Sequence, residues 1–205
     1  MRNRKEKINV RVGTKSVLFG AHCVAIHFVF LAAAWWRLYG FPWDPRLWAS
    51  FFLHDLGYIG RPNMDGSEGE RHVELGARIM GWCFGPWWRD FCLSHSRYYA
   101  KRLGRRVSRL CVADKLAFVI TPAWLYIPMT RATGELKEYM QRAVERQAGG
   151  ERFTAEESAL LASPDPHLWL HGLKSYTRRW VEHHRDGRLD TWTQPEQAAV
   201  ASLGT

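Results

Sequence analysis

Apolar residues recur at three- and four-residue spacing along most of the chain, and alternating apolar-polar runs are few, so the pattern predicts helices. The first helix is expected from about Ser16 to Tyr39, an almost uninterrupted apolar stretch that Gly40 stops and Phe41-Pro42-Trp43-Asp44-Pro45 turns. A short second helix from about Pro45 to Leu56 carries proline at a favoured first-turn position. Gly57 and Gly60 release the chain into a polar loop over residues 60–70. A third helix is expected from near Glu70 to around Gly81–Gly85. A fourth opens at Pro86 and ends between His95 and Leu103, before Gly104. A fifth runs from near Ser108 to Ile120, stopped by Pro122, and a helical stretch with a charged face follows from Gly134 to Gln147. Beyond Gly149-Gly150, Thr154-Ala-Glu-Glu157 reads as a capping box before Ser158–Ala162, and a last amphipathic helix is expected over about His167–His184. The fold class is all-α: a basic N-terminal arm over 1–15, a helical bundle over 16–148 and a small helical extension over 149–205.

At 205 residues, 46% hydrophobic and 24% charged, the chain can build one domain with a full core and has length left for an appendage. Its formal net charge of +9 favours anionic partners: nucleotides, nucleic acid or an anionic membrane surface. The four cysteines, Cys23, Cys83, Cys92 and Cys111, have no CxxC spacing, which argues against a zinc ribbon or redox motif and for a reducing, cytoplasmic compartment. Val17–Trp36, after the basic Met1–Lys7, has the composition of a signal anchor or membrane span. His22 and His27 inside it would be costly in lipid. A buried core helix is therefore favoured, and no membrane partner is expected. Most of the eleven tryptophans read as packing residues.

Chemistry enters with six residues in order: His22, His54-Asp55, His72, His95 and Asp114. Imidazole nitrogens and carboxylate oxygens are ligands of borderline and hard divalent metals. At helical spacing Asp114 shares a face with Leu110, Cys111, Ala117 and Phe118, where an unpaired charge would be very expensive. His22 shares one with Leu18, Ala25, Ile26 and Val29, and His72 one with Leu75, Gly76 and Ile79. Adjacent residues diverge by about 100° on a helix. His54 and Asp55 therefore reach one site only where the helix frays, and Gly57 supplies that break. A single buried histidine is more often a hydrogen-bonded core residue; six ligand types in successive helices point to one metal site. His167/His171 and His183-His184 find no further ligand partner and read as surface or core residues.

In this order the residues resemble the HD-domain superfamily, whose pattern is H…HD…D on a helical bundle. His72 and His95 extend it to the H…HD…H…H…D pattern of binuclear members, among them HD-GYP phosphodiesterases, hydrolases of diadenosine tetraphosphate and diiron oxygenases. The resemblance covers roughly residues 16–125. It implies an enzyme holding two divalent ions (Fe, Mn, Co or Mg) on His22, His54, Asp55, His72, His95 and Asp114. His54 and Asp55 would be catalytic, with Asp55 able to bridge the ions. The implied reaction is cleavage of a phosphate ester or anhydride by a metal-activated water, with a nucleotide or dinucleotide as substrate. Arg97, Lys101, Lys115, Arg61 and Tyr58 are the candidate substrate contacts, and Glu68 or Glu70 candidate partners of His72. Two departures stand out. The dyad continues Leu56-Gly57, without the lysine of many hydrolytic members, and the GYP motif is absent. The alternatives are an HD-type diiron oxygenase and a non-catalytic, metal-stabilised module binding nucleic acid.

Overall fold

A computed structural model describes residues 11–62, 64, 69–148 and 152–192. The arm before residue 11, Asp65, Gly66, Glu68 and the Gly149-Gly150 junction lie outside the described residues. Among those described, the chain forms helices and no strand. The helices are α1 (Val12–Phe19), α2 (Val24–Tyr39), α3 (Pro45–Leu53), α4 (Val73–Phe84), α5 (Pro86–Leu93), α6 (Arg97–Arg102), α7 (Arg109–Ile120), α8 (Ala123–Thr133), α9 (Glu135–Ala148), α10 (Ala155–Leu161) and α11 (Pro166–His184), with a 3₁₀ turn at Leu56–Tyr58. No single described helix is long and apolar enough to cross a membrane.

The single helix expected over Ser16–Tyr39 is two, α1 and α2, bent by 63°. The cause is a carboxylate from far along the chain. Glu135, 0% exposed, accepts hydrogen bonds from Ser16 Oγ (2.5 Å), the Ala21 N–H (3.1 Å), Thr133 Oγ1 (2.5 Å) and Tyr139 Oη (2.9 Å). It lies so close to Gly20 that any Cβ there would collide with it. A buried carboxylate needs such donors, and the amides at a helix break supply them.

The other boundaries follow local chemistry. Asp44 caps α3 by accepting the Arg46 N–H at 2.9 Å, and Pro45 occupies the first turn. Ser108 caps α7, and Thr154 with Glu157 forms the expected capping box of α10. The fourth expected helix is divided: α5 ends at Leu93, and Ser96 caps a separate α6 through the Tyr99 N–H at 3.2 Å. The α8 helix was not expected, since Pro122 read as the stop of the preceding helix; Pro122 instead stands at the N-cap of α8, and Pro128 is carried inside it.

The main core joins α2, α3, α4, α5 and α7 through Leu31, Trp35, Phe51, Met80, Phe91 and Leu110. The described segment 152–192 is built into the same body: Tyr176, Trp180 and Val181 of α11 pack with Ala100, Val107, Cys111 and Val112. Asp190 locks this junction. It binds Arg97 at 2.7 Å and Trp180 Nε1 at 3.2 Å, accepts the Trp192 N–H at 3.0 Å, and lies 3.5 Å from Lys101. Arg97 and Lys101, expected at the substrate, are thereby drawn to a structural carboxylate.

Burial opposes ionisation of Asp190, but Arg97 prevails and holds its carboxyl far below the usual range. A depressed folded-state pKa gives stability that is complete above the unfolded value and lost as pH falls through the folded one. Asp190→Asn should therefore cost about 3 kcal/mol at neutral pH, because it removes the only charge paired with a largely buried guanidinium among the contacts of Arg97. The wild-type chain should progressively lose the same contribution below about pH 4. Urea unfolding of both proteins at neutral and acid pH measures this, and the difference between them should shrink in acid.

Candidate metal centre

Four helices run alternately toward and away from one end of the bundle, and each leaves a ligand-type residue there. His27 lies in the first turn of α2, and His54-Asp55 follow the end of α3. His72 precedes the first residue of α4, and His95 follows the end of α5. Asp114 comes from the middle of α7. The adjacent pair converges because α3 ends at Leu53 and the chain passes at Asp55, with φ −102° and ψ −3°, into the 3₁₀ turn Leu56–Tyr58. Gly57 permits the close approach of the His72 backbone; a Cβ there would strike the His72 carbonyl.

Two ligand groups result, sharing Asp55. In the first, His27 Nε2 lies 3.3 Å from His54 Nε2, 3.1 Å from Asp114 Oδ1 and 3.6 Å from Asp55 Oδ2. His54 Nε2 is 3.1 Å from the same Asp55 oxygen. In the second, His72 Nε2 and His95 Nε2 are 3.2 Å apart and each 3.5 Å from Asp55 Oδ1. All six residues are buried.

The arrangement fits cations. Nδ1 of His54, His72 and His95 faces a backbone carbonyl, of Phe51 (3.0 Å), Gly69 (2.7 Å) and Cys92 (2.6 Å) respectively. A carbonyl only accepts, so Nδ1 carries the proton, and in the neutral ring Nε2 is a bare lone pair aimed inward. Lone pairs then confront one another, and Asp55 Oδ2 is buried without a hydrogen-bond donor. A positive charge among these atoms resolves both conflicts. These residues can hold metal ions, one group on each oxygen of Asp55.

The electrostatics of the two carboxylates and of His72 run the same way. Burial opposes ionisation of Asp55, but His54 and His22 hold its carboxyl well below the usual range. For Asp114 burial is likewise outweighed, by Lys115 and His27. Burial works against protonation of His54, and Asp55 nonetheless raises its pKa. His72 is lowered well below the ordinary imidazole value by burial and by its neighbour His95.

His27, not His22, is the histidine of α2 that enters the cluster. The expected register assumed one helix from Ser16 onward. The break at Gly20 places His22 in the bend, where Nδ1 faces Ser16 Oγ at 3.0 Å and Glu135 at 3.8 Å. Burial lowers the His22 pKa, but Asp55 and Glu135 together raise it above the ordinary value. Its ring lies beside the site, 4.7 Å from the Tyr58 ring. The signal for His27 was present: it stands four residues before Leu31 and seven before Ala34, on the buried stripe of α2. In the sequence it entered only as a charge unfavourable in lipid.

Among the candidate substrate contacts, Lys115 lies at the site, its Nζ 2.9 Å from Asp114 Oδ2 and its side chain 37% exposed. Tyr58 is buried and stacks on His72, with centroids 4.0 Å apart and planes at 7°. Arg61, half-buried, donates to the Gly57 carbonyl at 3.3 Å. Glu70 accepts from Ser96 Oγ at 2.7 Å, next to His95 in the chain. A cavity of about 530 Å³ between α8, α9 and the end of α10 contains none of the cluster residues. The chain matches no protein-family model, no curated protein and no solved structure.

His27→Ala should reduce bound metal at least about tenfold in affinity, whereas His22→Ala should leave stoichiometry intact. Elemental analysis of both variants, purified without chelator, decides between the two histidines.

Proposed function

We propose that the protein is a metal-dependent phosphohydrolase that cleaves a phosphate ester or anhydride of a nucleotide or dinucleotide. The observation that carries the reading is Asp55, a buried carboxylate with one oxygen in each of two histidine groups. Divalent cations held there would lower the pKa of water and polarise a phosphoryl oxygen. The protein's own contribution is rigidity and charge. Backbone carbonyls fix three imidazoles, so the inward nitrogens need no reorganisation during reaction. Tyr58 packs flat on His72 and excludes water from that side of the ring.

Hydrolysis also needs a cation for the non-bridging phosphate oxygens. Leu56 and Gly57 follow the dyad and supply none. Lys115 replaces it from another helix, partly exposed and held by Asp114. Burial lowers its pKa, but Asp114 raises it above the ordinary lysine range, so the ammonium stays charged. The net charge of +9 favours an anionic substrate in the same sense.

A diiron oxygenase is the second reading, favoured by four imidazoles among the six ligand-type residues. Purified protein supplied with Mn²⁺, Fe²⁺ or Co²⁺ should release phosphate from members of a nucleotide and dinucleotide panel. Asp55→Ala should lower that rate at least about a hundredfold. Two irons per chain with oxygen uptake, and no phosphate release under any of the three metals, would replace this reading with the oxygenase.

A further inference from the structure

The end of the bundle opposite the metal cluster carries a cap of exposed aromatic rings. The helices that bring His27, His54, His72 and His95 together turn at their other ends through Gly40–Asp44, between α2 and α3, and Gly85, between α4 and α5. From His72 to Phe84 is twelve residues of helix, so these turns stand roughly 18 Å from the cluster. On and beside them lie Trp36 (64% exposed), Phe41 (43%), Trp43 (85%), Trp82 (88%), Phe84 (42%) and Trp87 (64%).

The two turns form one surface. Trp36, Phe41 and Trp43 are linked by ring contacts of 6.0 and 4.5 Å, and Phe84 and Trp87 both contact Trp88, at 6.5 and 4.8 Å. Arg46 joins the two turns: it pairs with Asp44 of the first at 2.7 Å, and its guanidinium lies 5.0 Å from the Trp88 ring centroid beside the second. The surface projects outward. Gly40 and Gly85 have φ of +83° and +92°, and a Cβ at either would meet nothing within 4 Å. Exposed Arg37, Arg46 and Arg89 flank the rings, and Arg105 reaches in to Asp90 at 2.7 Å. Asp44 and Asp90, the carboxylates among them, are each held by arginine.

We propose that this cap docks on an anionic lipid bilayer. Tryptophan is the side chain best suited to the headgroup boundary, where its apolar body is buried and its N–H stays wet. Arginines beside it keep their charge at the lipid phosphates while their stems cover apolar surface. The rings sit on projecting turns, not along a groove that could track a nucleic-acid backbone. Docking by the cap leaves the metal cluster at the far end of the bundle, facing away from the bilayer. This revises the expectation that the chain has no membrane partner, and it stands independently of the phosphohydrolase reading.

The test is co-sedimentation of the metal-loaded full chain with vesicles of phosphatidylcholine, with and without phosphatidylglycerol. The protein should partition to the anionic vesicles. The Trp43→Ala/Trp87→Ala variant should partition about tenfold or more weakly while keeping its metal content and helical circular dichroism. Should that variant lose its fold, Trp43→Glu alone, on the most exposed ring of the first turn, serves in its place. Arg37→Glu/Arg89→Glu should remove the preference for phosphatidylglycerol. The proposal is overturned by absence of wild-type binding to anionic vesicles, or by binding that the tryptophan variants retain. It is equally overturned if these tryptophans hold a dimer of the chain or a single-stranded oligonucleotide while vesicles go unbound.

Discussion

Four imidazole nitrogens aimed at one buried carboxylate are the constraint around which the bundle is arranged. Among water-exposed groups such crowding would relax by rotation. Here three of the rings are pinned through Nδ1 to carbonyls of their own chain segments, so the inward lone pairs cannot turn away. The carbonyl that pins each ring lies three residues before it: Phe51 and Cys92 in the last turns of α3 and α5, and Gly69 in the segment that leads into α4. Helix C-termini have unpaired carbonyls to offer, and helix interiors do not. The site therefore sits at the end of the bundle, where α2, α3, α4 and α5 begin or finish.

Much of this was legible in the sequence. Helix stops at Gly40, Gly85 and Pro122 follow from backbone chemistry acting over one or two residues, and so do the caps at Ser108 and Thr154. His72 and Asp114 were recognisable as polar groups whose helical neighbours are apolar, and the dyad and His95 because they fall in order with them in successive helices. The break between α1 and α2 was not legible. It depends on Glu135, over a hundred residues away, and neither hydropathy nor propensity reports a carboxylate arriving from another helix. One long-range interaction thus decided which histidine, His22 or His27, belongs to the cluster.

The same interaction links the cluster to the rest of the fold. Glu135 fixes the bend, the bend sets the direction of α2, and α2 carries His27 to Asp114. His22 stays in contact with both ends of this chain, through Glu135 on one side and the Tyr58 ring on the other, and Tyr58 in turn covers His72. The N-terminal helix therefore frames the site without supplying a ligand to the cluster.

Net charge proved a poor guide to where cations meet the chemistry. Arg97 and Lys101 follow His95 directly in sequence, but α6 turns them onto Asp190. Arg179 is similarly consumed by Glu157, at 2.5 Å. Each of these carboxylates is nearly fully buried, and a buried carboxylate captures the nearest guanidinium because leaving it alone costs several kcal/mol, on the order of the whole pair energy. Sequence proximity to a ligand has no such energy behind it. Lys115 stays at the site for the opposite reason: its partner Asp114 belongs to the ligand cluster, so the attraction that holds the ammonium also holds it there. A cation is placed by the carboxylate it neutralises, and the function of that carboxylate decides whether the cation serves the core or the site.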